Sequence, residues 1–159
     1  IHAFSSVHDQ YEQARLYIIG EGSDYKRLST LVSDLSLDNN VIFTGYLTHD
    51  ELMKYFENID VTVNSAVGET FGVPAVESWH LGRPTILPNH HPMAINVNSN
   101  NGIVYENSTD KQVLVENIIT AMFKSVNRKF NNEQISGTAK DVYSEYSVCK
   151  RLSEIYDKH

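Results

Sequence analysis

The sequence predicts an α/β fold, a parallel sheet with helices on both faces. Three observations carry this. Five short apolar runs, rich in β-branched and aromatic residues, each end in Gly, Asn or Pro, as buried strands do. Segments with helical spacing lie between them, and strand alternating with helix favours a parallel sheet with right-handed crossovers. The 159 residues amount to one domain, taken here as 1–159.

The elements follow in order. Ala3–Gln13 reads as a helix, and a sheet that opens with a helix implies a further strand upstream. Leu16–Ile19 is the first strand. Tyr25–Leu37 places Leu28, Leu31, Val32 and Leu35 on one helical face. Val41–Phe43 is the second strand, and Asp50–Glu57 gathers Leu52, Met53 and Phe56. Val61–Val63 is the third strand. Val73–Leu81 is apolar on most sides and is expected to be buried. Gly82 reads as its C-terminal cap and Pro84 as the start of the strand Thr85–Leu87. Asn96–Gly102 reads as a turn before the last strand, Ile103–Tyr105. Val113–Phe123 carries an apolar stripe, Asn127–Glu133 interrupts, and Val142–Tyr156 is a final helix.

Thirteen basic against twenty acidic residues give a net charge of -7. That balance argues against nucleic acid as the ligand. No run approaches the roughly 18 apolar residues of a membrane span. Cys149 alone forms no internal disulfide and no thiolate metal cage, which fits a reducing compartment. The chain opens at Ile1 without methionine, so it is expected to be a piece of something longer.

In an open parallel sheet, ligands collect outside the carboxyl ends of the strands. Gly20-Glu21-Gly22 serves either as a plain turn or as a point of close backbone approach; the third glycine of a dinucleotide fingerprint is absent. After Val41–Phe43, Gly45-Tyr46-Leu47 either caps the core or forms a slot for a flat base. The longest such segment runs from Asn64 to Glu77. Pro74 suits a first helical turn, so the N–H groups of Gly72 and Val73 are expected to point out of the helix start, where they would hold phosphate oxygens. Glu77 is expected in the first turn, placed for a vicinal diol or simply for the helix dipole. Glu69 lies on the loop, as a pocket-mouth acid or a solvated one.

Glu69-Thr70-Phe71-Gly72-Val73-Pro74-Ala75-Val76-Glu77, with Leu81-Gly82-Arg83-Pro84-Thr85-Ile86 behind it, resembles the signature of the group 1 glycosyltransferases, the retaining GT-B enzymes of glycosyltransferase family four. Leu16–Gly22, Val41–Leu47 and Asp60–Ser65 resemble the rest of the family's frame, so the likeness spans nearly the whole chain. It implies a Rossmann-like fold, the C-terminal half of a GT-B enzyme, that binds a UDP- or GDP-linked sugar without a metal cofactor. Gly20 and Gly22 would form the first glycine turn. Gly45, Tyr46 and Leu47 would hold the base. Thr70, Phe71, Gly72 and Val73 would line phosphates and sugar. Glu77 would bind the ribose hydroxyls, and Glu69 would stand at the donor sugar near the reacting carbon as the catalytic-site acid.

The family also uses an Arg and a Lys upstream of the stretch matched here, and an N-terminal acceptor-binding domain. This chain holds neither, so it is expected to transfer no sugar alone. Residues from about 140 to 159 are expected to pack on that other domain. The resemblance further implies a cytoplasmic enzyme, extending to peripheral contact with the inner face of a membrane, that assembles polysaccharide or glycosylates a lipid or protein. The alternative is a non-catalytic glycosyltransferase-like module that binds nucleotide or protein. A non-hydrolysing epimerase fits the Glu69–Glu77 spacing less well. Asn89-His90-His91-Pro92-Met93 departs from the family, where many members carry a pair of glycines and a glutamate. Neighbouring residues of a strand face opposite ways, so the two histidines are not expected to bind a metal.

Overall fold

The computed structural model describes residues 1–66 and 68–156, with the side chains of 151–156 outside the description. It is an α/β molecule. The elements are α1 (His2–His8), β1 (Leu16–Ile19), α2 (Tyr25–Asp34), β2 (Val41–Gly45), α3 (His49–Asn58), β3 (Thr62–Val63), α4 (Val73–His80), β4 (Thr85–Pro88), β5 (Gly102–Tyr105), α5 (Lys111–Val126), α6 (Asn132–Tyr143) and α7 (Glu145–Tyr156). A 3-10 turn, Pro92–Asn96, sits between β4 and β5.

All strand pairs are parallel, as the alternation of strand and helix predicts. The expected single sheet comes as two pieces, β1-β2 and β3-β4-β5. β3 has only two residues and, among the described residues, pairs with β4 alone, at the edge of its sheet. Helix α1 packs under β1-β2 and against α5. Phe4 packs with Val32, Leu37 and Val41 under β1-β2. Tyr11, just past the helix, meets the Phe123 ring of α5 at 6.3 Å, while α5 covers Ile86, Ile103 and Tyr105 of the other piece.

Several helix boundaries differ from the sequence reading, and the final helix expected over Val142–Tyr156 is divided between α6 and α7. Helix α1 stops at His8 rather than Gln13, because the N–H groups of Gln10 and Tyr11 both turn back to the Val7 carbonyl. Helix α2 stops at Asp34, where Ser36 takes a φ of 57°. The interruption at Asn127–Glu133 is shorter than it reads. Asn131 caps α6 by accepting from the Gln134 N–H at 3.0 Å, and Ile135 and Ala139 then bury against Trp79. Ser144, extended at ψ 152°, separates α6 from α7, and its hydroxyl accepts the Ser147 N–H at 3.2 Å.

Helix α4 is the best-anchored element. Trp79 is 2% exposed, stacks on Tyr143 at 6.1 Å and donates its indole N–H to the Asn101 carbonyl at 2.9 Å. The Ser78 hydroxyl, wholly buried, bonds Thr62 at 2.8 Å and the Arg83 carbonyl at 2.9 Å. The helix ends as expected at Gly82, with φ +73°. The Gly82 and Arg83 N–H groups return to Trp79 and Ser78 at 2.9 and 2.8 Å, a Schellman cap that satisfies two terminal carbonyls. All-round burial of this helix is corrected: Val73, at its start, is 52% exposed.

Candidate functional site

Two groups of strand-end residues stand out. The first joins the ends of β1 and β2. The Gly20 N–H donates to the Gly45 carbonyl at 2.9 Å, and both glycines take positive φ, +111° and +69°. Such angles disfavour a side chain, so the turn asks for glycine. Glu21 reaches across, its Oε1 accepting the Tyr46 N–H at 3.4 Å. Between them lies a cavity of about 620 Å3 whose lining includes Gly20, Glu21, Gly22, Asp24, Tyr25 and Gly45.

A Cβ added at Gly20 or Gly22 would meet nothing within 4 Å. The space above these glycines is open. Asp24 pairs with Arg27 at 2.6 Å, and that hydrogen bond holds its carboxyl below the usual carboxylate range. The Tyr25 ring stands edge-on to Phe43 at 5.2 Å.

The second group is the loop between β3 and α4, described except for Val67. Asn64 opens it by accepting the Ala66 N–H at 2.9 Å. Glu69, half-buried, folds back on its own loop. Its Oε1 accepts the N–H groups of Thr70 and Gly72, each at 3.2 Å. Gly72 is the N-cap of α4, at φ +90°. The expected outward-pointing Gly72 amide is therefore already taken by a carboxylate, which stands where the oxygen of an anion would. Pro74 in the first turn brings no N–H. Glu77 lies in the second turn rather than the first, because the helix starts at Val73.

Gly20, Gly22 and Gly45 thus share one cavity, and Glu69, Thr70 and Gly72 share one loop. Leu47 is half-buried and Tyr46 is 74% exposed, and neither lines the cavity. Phe71 and Val73 project outward, and they, Glu69 and Glu77 lie outside the cavity lining.

Sequence reasoning passed over Asp24 and Tyr25, and weighed His91 only with His90 as a metal pair. The first two follow a glycine turn at a helix start, the usual place for cavity-lining groups. His91 is 3% exposed. Its ring lies so close beneath Gly72 that a Cβ there would collide with it and stand 2.8 Å from Met93 Cγ. Among the described residues, no group of three or more His, Cys, Asp or Glu is placed to hold a metal ion, and no helix is long and apolar enough to cross a membrane.

Residues 1–140 match the model of the family described as glycosyl transferases group 1. The chain belongs to that family. An uncharacterized glycosyltransferase of Methanocaldococcus jannaschii is 29% identical over 149 residues, covering 90% of this chain and 37% of the relative. Two solved structures share the fold. The lipopolysaccharide outer core galactosyltransferase WaaB, in its apo form, superposes with a TM-score of 0.75 at 18% identity, covering 98% of this chain and 45% of that one. The pneumococcal O-GlcNAc transferase GtfA, in complex with UDP and GlcNAc, gives 0.76 at 15% identity, covering 98% and 32%. The chain thus spans less than half the length of each. Its α/β architecture is that of one half of a GT-B glycosyltransferase.

Proposed function

We propose that this chain is the donor-nucleotide half of a retaining glycosyltransferase of family four, acting on a UDP- or GDP-sugar. The observation that carries the reading is the cavity at the carboxyl ends of β1 and β2, where Gly20 and Gly45 are hydrogen-bonded and the space above Gly20 and Gly22 is open. Ligands of open parallel sheets collect at that edge. The GtfA structure, alike in fold, was solved with UDP and GlcNAc.

In this reading Gly20, Gly22 and Gly45 let the nucleotide approach the backbone, and Tyr46 and Leu47 flank the base. Thr70, Phe71, Gly72 and Val73 meet the phosphates and the sugar. The start of α4 supplies dipole and amides to a diphosphate that no metal need neutralise. Glu77 takes the ribose hydroxyls, and Glu69 positions the donor sugar. An N-terminal domain supplies the acceptor site, for a saccharide, lipid or protein. An Arg and a Lys just upstream of the matched stretch stabilise the leaving diphosphate, a purely electrostatic contribution, and α7 packs against the N-terminal domain. The intact enzyme works in the cytoplasm or at the inner membrane face, in polysaccharide or glycoconjugate assembly.

Calorimetry of the intact protein against UDP, GDP, ADP and their sugars tests the reading. One nucleotide is expected to bind, and Glu77→Ala to weaken it about tenfold with the fold unchanged, one lost hydrogen-bonding group. No binding by any of the panel refutes it. The chain alone is expected to turn over no donor.

A further inference from the structure

His91 is a buried imidazole with one nitrogen spoken for and one without a partner. Its Nδ1 accepts the Met93 N–H at 3.1 Å, so the proton of the neutral ring sits on Nε2. Nε2 is buried and has no hydrogen-bond partner. A buried donor left unsatisfied costs stability and calls for an explanation. The ring lies against Gly72, the N-cap of α4, and Gly72 donates to Glu69. Glu69 and His90 are the ionisable neighbours whose charges act on the imidazole, and burial outweighs Glu69 in keeping it neutral.

Glu69 therefore stands between two sets of donors. It now holds the Thr70 and Gly72 amides. These are groups that a phosphate oxygen would claim at a helix start, and a carboxylate beside a phosphate repels it. A ligand that claims them must move Glu69, and the buried Nε2–H beneath Gly72 offers a neutral donor with no other acceptor. We propose that His91 is a positioning residue for Glu69: when a nucleoside diphosphate takes the Gly72 amide, the displaced Glu69 carboxylate closes on His91 Nε2–H. The proposal rests on the donor-nucleotide reading above. It makes Glu69 a plug at the α4 N-terminus in the empty protein and a held acid in the loaded one.

The test is a double-mutant cycle on the intact protein, read as the Kd for UDP, GDP or ADP, whichever the parent binds. His91→Phe keeps a planar ring and removes the donor. It is expected to weaken binding about tenfold, the scale of one hydrogen bond to a charged group. His91→Gln, which retains an N–H donor, is expected to restore most of the loss. In a Glu69→Ala background His91→Phe is expected to cost nothing, since no displaced carboxylate needs a receiver. A merely structural role predicts the same loss in both backgrounds, and that result overturns the proposal.

Should His91→Phe not fold, the parent with 15N-labelled histidine decides. Nucleotide binding is expected to move the His91 Nε2–H resonance downfield, and binding that leaves it unmoved overturns the proposal while sparing the donor reading. A parent that binds none of the three nucleotides refutes both.

Discussion

The glycines at the ends of β1 and β2 and three glycines around the β3-β4-β5 piece sit in opposite surroundings. In the first, Gly20 and Gly22 face empty space and Gly45 meets only Glu21 Oε1 at 3.6 Å. In the second, Gly72, Gly82 and Gly102 are each pressed against other groups. A Cβ at Gly82 would stand 2.5 Å from the Asn132 carbonyl, and one at Gly102 would run into the Thr85 carbonyl. The first piece reads as a receptacle and the second as an anchored frame that aims one helix. Substitutions at the packed residues of the frame, such as Trp79 and Gly82, should damage folding, and substitution at the open Gly22 of the receptacle should damage binding alone.

The largest effect is expected at Trp79, whose ring and indole N–H tie α4 to α6 and to the Asn101 turn. Trp79→Ala should cost about 3–5 kcal/mol in a denaturant unfolding experiment. Gly82→Ala comes next. It strains a positive φ and pushes α6 from α4, a loss of about 2–3 kcal/mol, visible as a lower thermal midpoint. Gly22→Val sharpens the contrast. Gly22 has an ordinary φ and open surroundings, so unfolding should shift by no more than about 0.5 kcal/mol, while nucleotide affinity falls at least about tenfold as the side chain fills the cavity mouth. Equal damage to folding and binding there would break the distinction between the pieces.

The smallest effect concerns pH. Burial lowers the His91 pKa below its ordinary value of 6.5. The folded state then releases that proton more readily than the unfolded one. This contribution to stability is fully present above about pH 6.5 and is lost as the pH falls through the lowered value. Unfolding midpoints measured from pH 7.5 to 5 should decline less steeply in His91→Phe than in the parent.

How far the sequence disclosed these features follows from how local each one is. β1 (Leu16–Ile19) was legible to the residue because a β-branched run met a glycine turn. The Gly82 cap was legible because a positive φ leaves few other choices. Helix α6 was not, since Asn127–Glu133 is polar, Gly137 weakens its helical pattern, and only burial of Ile135 and Ala139 against Trp79, some 56–60 residues earlier, stabilises it. The site shows the same division. The Glu69–Glu77 loop could be placed at a strand end from its residues alone. The hold of Glu69 on Gly72, the second-turn position of Glu77 and the ring of His91 beneath the helix start are tertiary facts that spacing does not encode.

The central claim is that one nucleotide spans both pieces. Hydrogen–deuterium exchange of the intact protein, with and without saturating UDP, GDP or ADP, tests it most directly. The account predicts slowed exchange in residues 18–25, 43–47 and 68–76 together. Nucleotide binding that protects only one of the two strand-end groups, or neither, would contradict it.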